Sequence, residues 1–184
     1  MGDSLSAAYG LSQHQSWVAL LSTRLQQQAY PHRVVNASIS GETSQGGLLR
    51  LQQQLSRVKP AVVVIALGGN DGLRGLSLTA LQGQLLEMVQ LSKNRGAQVL
   101  LAGVRMPPNY GIQFTQQFAQ VYSDVAHATS VAFLPNLLKA VDDQTTLMQA
   151  DLIHPNGRGQ AVILDNIWPV LLTLLKNTQQ RTKH

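Results

Sequence analysis

Short apolar runs alternate along the chain with longer amphipathic stretches. The run AVVVIAL at Ala61–Leu67 is apolar throughout and rich in β-branched residues, which is typical of a strand covered on both faces. Three other runs have the length and composition of strands: Arg33–Ala37, Gln98–Val104 and Val131–Leu134. Together the four runs predict the strands of one sheet.

The stretches between these runs carry apolar residues at helical spacing, so that each presents one apolar face. Pro60 ends the second stretch, and Pro169 predicts a kink in the last. The five apolar stripes are Trp17, Leu20, Leu21, Leu25; Leu48, Leu51, Leu55, Val58; Leu81, Leu85, Met88, Val89; Phe114, Phe118, Val121, Val125; and Ile163, Ile167, Val170, Leu171, Leu174.

This alternation of strands and helices predicts βαβ units, a parallel sheet and a three-layer α/β/α sandwich. We expect one domain over residues 1–176 and a frayed polar tail over residues 177–184. Ligands of such folds bind at the carboxyl ends of the strands. The segments to inspect for chemistry are therefore the chain start, the loops that follow the strands and the segment before the last helix.

Composition narrows the class of protein. Of 184 residues, 44% are hydrophobic and 12% charged, which favours a globular chain. No apolar run approaches the roughly 18 residues of a membrane span, and the chain as written does not begin like a signal peptide. We therefore expect no stable membrane insertion. Cysteine is absent, which excludes thiolate chemistry.

The net charge of +5 raises the question of a nucleic-acid partner. Lysine and arginine are scattered singly, however, and aromatic residues make up only 5% of the chain. Nucleic-acid binding usually shows a clustered basic patch, so we expect no such partner. A basic solvated surface explains the charge, and a mild preference for anionic substrates is the alternative.

The opening stretch Gly2-Asp3-Ser4-Leu5 has two interpretations. Ser4 could be a nucleophile on a turn between a strand and a helix, or it could be the N-cap of that helix. For this stretch taken alone, capping is the better interpretation.

A second block, Asp151-Leu152-Ile153-His154-Pro155-Asn156, suits a general base. A carboxylate three residues before a histidine can reach back to the ring and fix its tautomer. Pro155 restricts the backbone of His154 to extended conformations. The alternatives are that Asp151 caps a turn and that Asn156 caps the last helix. A metal site built on Asp151 and His154 lacks an evident third ligand.

Two further blocks could supply donors to an oxyanion. The side chain of Asn70 follows the most apolar strand within Gly68-Gly69-Asn70-Asp71-Gly72, and Gly41 could present its backbone N–H. Their alternatives are a plain glycine-rich turn and a helix start capped by Ser40 or Thr43. All four blocks fall where an α/β sheet gathers its site, and they complete the set that nucleophilic acyl transfer requires.

These blocks, in this order, resemble the GDSL (SGNH) hydrolase family, which has a flavodoxin-like fold. The strings GDSLSA, VVNASISGETSQGGLLRL, LGGNDGLRG, PPNYG and HPN are most similar to the bacterial multifunctional thioesterase I/protease I/lysophospholipase group. The resemblance implies an esterase and thioesterase for fatty-acyl substrates that needs no cofactor or metal. It also implies a monomer that works in the periplasm, whereas the chain as written would stay in the cytoplasm.

The resemblance assigns roles residue by residue. Ser4 would be the nucleophile, His154 the base and Asp151 its orienter, with the Ser4 amide, Gly41 and Asn70 as the oxyanion hole. Two loops would border the acyl chain, the first mobile over residues 72–77. The residues implied in substrate binding are Gly72, Leu73, Arg74, Met106, Pro107, Pro108, Asn109 and Tyr110.

The chain departs from the family at its start. Family members have an apolar strand before the GDS turn, central in the sheet, and only Met1 stands there here. We therefore expect a signal peptide and a strand to be encoded upstream. Two alternative functions stay open: a carbohydrate deacetylase on the same fold, and an acyl-binding module with a misplaced Ser4.

Overall fold

The computed structural model describes residues 1–181, and its centre is a three-stranded parallel sheet. The strands are β1 (Val62–Ile65), β2 (Gln98–Ala102) and β3 (Ala132–Leu134), in the order β1-β2-β3. In register, Val64 pairs with Leu100 and Leu100 with Ala132. Ile65, Leu100 and Leu101 are fully buried, as expected for a sheet covered on both faces.

Within residues 1–181, six α-helices surround the sheet. They are α1 (Trp17–Gln27), α2 (Ser44–Val58), α3 (Gly69–Leu73), α4 (Leu78–Asn94), α5 (Ile112–Thr129) and α6 (Gly157–Arg181). Helix α1 packs on α6, while α4 contacts both α2 and α5, and the sheet contacts α6, α4 and α5. The predicted α/β sandwich and all five apolar helix faces are confirmed. No helix within residues 1–181 is long and apolar enough to cross a bilayer.

The prediction of a strand at Arg33–Ala37 is wrong. This segment has no regular secondary structure and pairs with no strand among the described residues. Between it and β1 lies an apolar groove of about 360 Å³, lined by side chains such as Leu21, Leu55 and Val62. A strand needs a partner for its backbone groups, and this segment faces the groove instead.

Met1 and Gly2 close one end of this groove. The Met1 amine donates to the Val64 carbonyl at 2.9 Å, and Gly2 forms an isolated parallel bridge with Ala66. On the other side, the Ile39 N–H donates to the Gly2 carbonyl at 3.0 Å. Two residues therefore connect β1 with the segment that follows Arg33–Ala37, and they place the next residues at the edge of the sheet.

Part of the predicted polar tail is helical, because α6 continues through residues 177–181. The Thr178 hydroxyl donates to the Leu175 carbonyl at 2.7 Å and lies 2.9 Å from Nε2 of His32. Helical backbone bonds and these contacts hold a polar sequence in place. Residues 182–184 of the predicted tail lie outside the described residues.

Candidate active site

Ser4 lies on a turn rather than at the start of a helix. Residues 4–10 form consecutive turns, and α1 begins only at Trp17. Asp3 holds the turn, because its Oδ1 accepts the Leu5 N–H at 3.0 Å and its carbonyl accepts from Ser6 and Ala7. The interpretation of Ser4 as a helix cap is therefore wrong, and its partly exposed hydroxyl is not engaged in capping.

The loop before α6 brings a histidine to this hydroxyl. Nε2 of His154 lies 2.9 Å from Oγ of Ser4, and Nδ1 lies 2.7 Å from Oδ2 of Asp151. Oδ1 of Asp151 accepts the N–H groups of Ile153 and His154, each at 3.0 Å. Asp151 thus caps a turn and contacts the ring at the same time, so the two interpretations of this residue are compatible.

Electrostatics keep Asp151 ionised. Burial acts to raise the pKa of its carboxyl group, but hydrogen bonds from the His154 backbone and ring and from the Ile153 amide outweigh it. The pKa is lowered to about 2. A carboxylate that stays charged at neutral pH can accept the Nδ1 proton, which leaves Nε2 free to accept one from Ser4.

Asn156 also fills the structural role that the sequence allows. Its Oδ1 accepts the N–H groups of Arg158 and Gly159 at the start of α6, at 3.0 and 3.2 Å. Its Nδ2 donates to the carbonyls of Thr146 and Met148. The loop that carries His154 is therefore bonded to the start of α6.

The three predicted oxyanion donors are the backbone amides of Ser4 and Gly41 and the side-chain amide of Asn70. Within the described part of the chain, the Ser4 and Gly41 amides donate no hydrogen bond. The Asn70 amide donates to the Glu42 carbonyl at 3.0 Å and lies 3.5 Å from Asp3 Oδ2. Both hydrogens of Nδ2 therefore have a partner, and the long bond to Asp3 is the one that a ligand oxygen could replace.

Two glycines shape these donor loops. Gly41 has φ +78°, and Gly68 has φ +112°, with the position of its missing Cβ only 2.2 Å from the Tyr122 hydroxyl. A side chain at position 68 would displace Tyr122, whose hydroxyl donates to the Leu67 carbonyl at 2.9 Å. Glycine is thus required where β1 turns into α3 and presents Asn70.

A buried polar contact joins the two donor loops. The Ser44 N–H and hydroxyl donate to the two carboxylate oxygens of Asp71, at 2.9 and 2.5 Å, and Gln84 also contacts the hydroxyl. Thr43 caps α2 by accepting the Gly46 N–H, as one of the alternatives for this segment expects. The start of α2, and with it Gly41, is thereby fixed to the loop of Asn70.

Asp3 is a second carboxyl group beside the site. Asp3 is only 3% exposed, and burial raises the pKa of its carboxyl group to about 6. Hydrogen bonds from the backbone and the electrostatic influence of the nearby His154 act in the opposite direction but are weaker. The neighbouring Asp71 acts in the same direction as burial. Near neutral pH this group is thus close to its titration range, unlike Asp151.

The two predicted substrate loops meet beside Gly41. Arg74 donates to the Gly41 carbonyl at 2.9 Å, and the Tyr110 hydroxyl donates to the Leu73 carbonyl at 3.2 Å. Pro108, Asn109 and Tyr110 are exposed and form a 3₁₀ turn, and Pro107 is half-buried. Gly72 and Met106 are instead buried: the Met106 sulfur lies 2.4 Å from the position of a Gly72 Cβ. These two residues support the loops from beneath.

Two residues near His154 have no signal in the sequence. The Tyr9 ring lies against the His154 ring, with centroids 4.3 Å apart, and Gln149 bonds to backbone groups on both sides of the site. No motif marks either residue, because both contacts depend on the tertiary fold. Within residues 1–181, no group of three or more His, Cys, Asp or Glu residues is placed to hold a metal ion.

Comparisons with known proteins show the family of this chain. The model of the GDSL-like Lipase/Acylhydrolase family matches residues 1–162, and the chain belongs to that family. It is a serine hydrolase of the ester and thioester class.

Two curated relatives cover most of the chain. The chain is 51% identical over 175 residues to "Esterase TesA" of Pseudomonas aeruginosa, which covers 95% of this chain and 87% of that protein. It is 41% identical over 165 residues to "Thioesterase 1/protease 1/lysophospholipase L1" of Escherichia coli K12, covering 90% and 78%.

Solved structures show the same fold. The crystal structure of TesA superposes with a TM-score of 0.93 at 51% identity, covering 94% of this chain and 96% of that one. The esterase EstA from Pseudoalteromonas, in a structure inhibited by monoethylphosphonate, gives 0.91 at 36% identity and covers 96% of each chain.

Proposed function

We propose that this protein hydrolyses fatty-acyl esters and thioesters through an acyl-enzyme on Ser4. The observation that carries the proposal is the 2.9 Å contact between the Ser4 hydroxyl and Nε2 of His154, across 150 residues of sequence. The 2.7 Å contact of Nδ1 with Asp151 supports the tautomer that a base requires.

The proposed reaction has two half-reactions. In the first, Oγ of Ser4 attacks the carbonyl carbon while His154 takes its proton, and the tetrahedral intermediate expels the alcohol or thiol, which receives that proton. In the second, water gives a proton to His154 and attacks the acyl-enzyme. The acid then leaves, and the proton returns to Ser4. Asp151 stabilises the imidazolium in both halves.

The developing oxyanion would lie between the Ser4 amide, the Gly41 amide and the Asn70 side chain. The two backbone amides have no partner within residues 1–181. Bonds from Asn70 to Glu42 and from Ser44 to Asp71 join the loops that carry Gly41 and Asn70. Donors held in place before the reaction stabilise charge without reorganising, which is the main advantage of such a site.

The acyl specificity is inferred from the rim and from the relatives. Tyr110 stacks on Phe114, with ring centroids 6.1 Å apart, and Leu76 is 44% exposed near the Arg74–Gly41 contact. An apolar rim beside the oxyanion donors suits an alkyl chain. The names of the relatives include an esterase, an arylesterase and a thioesterase/lysophospholipase.

Covalent labelling tests the nucleophile. A fluorophosphonate probe should react with the protein, and mass spectrometry should place the adduct on Ser4. The Ser4→Ala variant should neither be labelled nor hydrolyse esters, while its thermal unfolding midpoint stays close to that of the unmodified chain. A cooperatively folded protein that the probe does not label would instead support the acyl-binding module.

A series of acyl esters and acyl-CoA substrates from C2 to C16 tests the acyl class. We expect the highest kcat/KM among the medium and long chains. A strict preference for acetyl groups, together with acetate release from acetylated oligosaccharides, would support the carbohydrate deacetylase instead.

We further propose that the enzyme acts as a monomer and in the periplasm, on the basis of the family resemblance. Sedimentation and cell fractionation would test these two points.

A further inference from the structure

The Tyr9 ring covers one face of the His154 imidazole. The two ring centroids are 4.3 Å apart and the planes are inclined by 35°. Tyr9 itself is 50% exposed, whereas the His154 side chain is 17% exposed. A protonated imidazole at this distance from an aromatic face is stabilised by the negative charge of the ring face.

The backbone around Tyr9 is held in an unusual conformation. Ala8 and Gly10, on either side of it, have φ values of +63° and +70°. A left-handed conformation is unfavourable for alanine, and it persists where the surroundings determine it. Ala8 is 4% exposed, and Gly10 leaves no room for a Cβ beside the Gln149 side chain. The direction of the Tyr9 ring is therefore built into the turn.

Gln149 ties this turn to the loop of the base. Its Nε2 donates to the Tyr9 carbonyl at 2.9 Å and to the Pro155 carbonyl at 3.1 Å. Its backbone N–H donates to the His154 carbonyl at 2.7 Å. Gln149 therefore bonds the Tyr9 carbonyl, on the turn that follows Ser4, and the carbonyls of His154 and Pro155, on the loop before α6.

We propose that Tyr9 is a positioning residue that orients the His154 ring and stabilises its protonated form, and that Gln149 fixes the spacing between the two loops. This inference rests on the proposed function, since the imidazolium arises only if His154 takes the Ser4 proton. Charge on His154 develops on the way to the transition state. The contact therefore contributes more there than in the substrate complex, and it raises kcat rather than lowering KM.

Two substitutions at Tyr9 separate the aromatic face from simple packing. Tyr9→Phe keeps the ring and removes the hydroxyl, whereas Tyr9→Leu keeps an apolar cover and removes the aromatic face. With a short-chain nitrophenyl ester, we expect Tyr9→Leu to lower kcat about tenfold with KM within twofold. Tyr9→Phe should retain at least half of kcat.

Three outcomes would overturn the role of Tyr9. The first is a kcat in Tyr9→Leu equal to that of the unmodified protein, the second is a change confined to KM, which would mean substrate contact, and the third is a loss in Tyr9→Phe as large as in Tyr9→Leu. Fluorophosphonate labelling of Ser4 in the unmodified protein keeps this test separate from that of the function. Unlabelled protein defeats the function, whereas labelled protein with unaffected variants defeats only this inference.

Gln149→Met tests the link between the loops, because it keeps the length of the side chain and removes both donated bonds. We expect kcat to fall by about tenfold and the effects of Gln149→Met and Tyr9→Leu to be non-additive. Gln144→Met is the matched control: Gln144 donates to the Ala140 carbonyl, on the same segment but away from His154. Additive effects, or equal losses at positions 144 and 149, would contradict the link.

Discussion

Both carboxylate oxygens of Asp151 bind the residue that Asp151 orients. Oδ2 lies 2.7 Å from Nδ1 of the His154 ring, and Oδ1 accepts the His154 backbone N–H at 3.0 Å. The side chain therefore fixes the backbone and the ring of His154 together. Because the two residues are three apart on one loop, this geometry depends little on the rest of the sheet.

Asp151→Asn tests this arrangement. The amide oxygen can still accept the backbone N–H groups, but its NH₂ group then faces Nδ1 and favours the tautomer that carries the proton on Nε2. That tautomer cannot take a proton from Ser4. We expect kcat to fall by about 10³–10⁴ with little change in folding. Steady-state kinetics of ester hydrolysis measure the fall in kcat, and the thermal unfolding midpoint measures any change in folding.

The matched control is Asp143→Asn, at an exposed carboxylate elsewhere on the surface. It should leave kcat unchanged. An Asp151→Asn enzyme with more than a tenth of the original kcat would show that His154 does not depend on this carboxylate.

Asn70→Ala should lower kcat by about 10²–10³, because one donor to the oxyanion is lost. The side chain also donates to the Glu42 carbonyl, so a modest loss of stability, about 1 kcal/mol, accompanies it. The loss of kcat is measured by steady-state kinetics on one ester, and the loss of stability by denaturant unfolding. Asn94→Ala, at the end of α4, controls for loss of an asparagine. A change in KM alone at position 70 would exclude the oxyanion role.

The pKa of Asp3, raised to about 6 in the folded chain from 3.8, makes stability depend on pH. The folded protein holds the proton more tightly than the unfolded chain does. The contribution of Asp3 to stability is therefore greatest below pH 3.8, falls as the pH rises through 6, and is then constant, a loss on the order of 3 kcal/mol. Asp3→Asn should remove this decline and raise the free energy of unfolding at pH 7.

Denaturant titrations of both proteins between pH 3.5 and 7.5 measure the difference. Other titrating groups, including the Met1 amine, whose pKa burial lowers to about 6, largely cancel when the two curves are subtracted. Parallel curves for Asp3→Asn and the unmodified chain would contradict the assignment.

The groove beside β1 predicts how a longer chain behaves. Met1 and Gly2 already pair with β1, and the groove continues from them between β1 and Arg33–Ala37. An extension of six β-branched residues fused before Met1 should add backbone bonds and apolar burial. We expect it to raise the free energy of unfolding by about 3 kcal/mol or more, at roughly 0.5–1.5 kcal/mol per net hydrogen bond.

A matched extension of equal length with alternating prolines cannot donate those backbone bonds, and it should stabilise far less. Urea unfolding of the two fusions decides the matter. Equal midpoints for the two fusions would show that the groove does not accept a strand.

Much of the fold is predictable because its signals are local. The apolar runs around β1 and β2 and the stripes of the five long helices each decide their own secondary structure. Arg33–Ala37 has the composition of a strand, but no neighbouring strand pairs with it within residues 1–181. The sequence of these five residues alone does not show whether a neighbouring strand is available. Residues 177–181 join α6 because helical bonding continues past the last apolar position.

The site divides in the same way. Asp151, His154 and Asn156 are predictable because their contacts lie within a few residues of one another. The contact of Tyr9 with His154 and the bond from Gln149 to the Tyr9 carbonyl join positions 140 or more residues apart, and no spacing rule specifies them. The opening stretch taken alone favours capping by Ser4, but in the structure Asp3 accepts the Leu5 N–H.

The placement of Asp151 and His154 on one short loop reduces what folding must achieve to assemble the site. A three-residue relay would in general require two independent long-range encounters. Here the contact between Asp151 and His154 forms together with the loop that carries both residues, and Asn156 bonds that loop to the start of α6. For these three residues, a single distance, between Ser4 and His154, is left for the tertiary structure to define, so errors in packing elsewhere reach the Ser4–His154–Asp151 relay through that one coordinate.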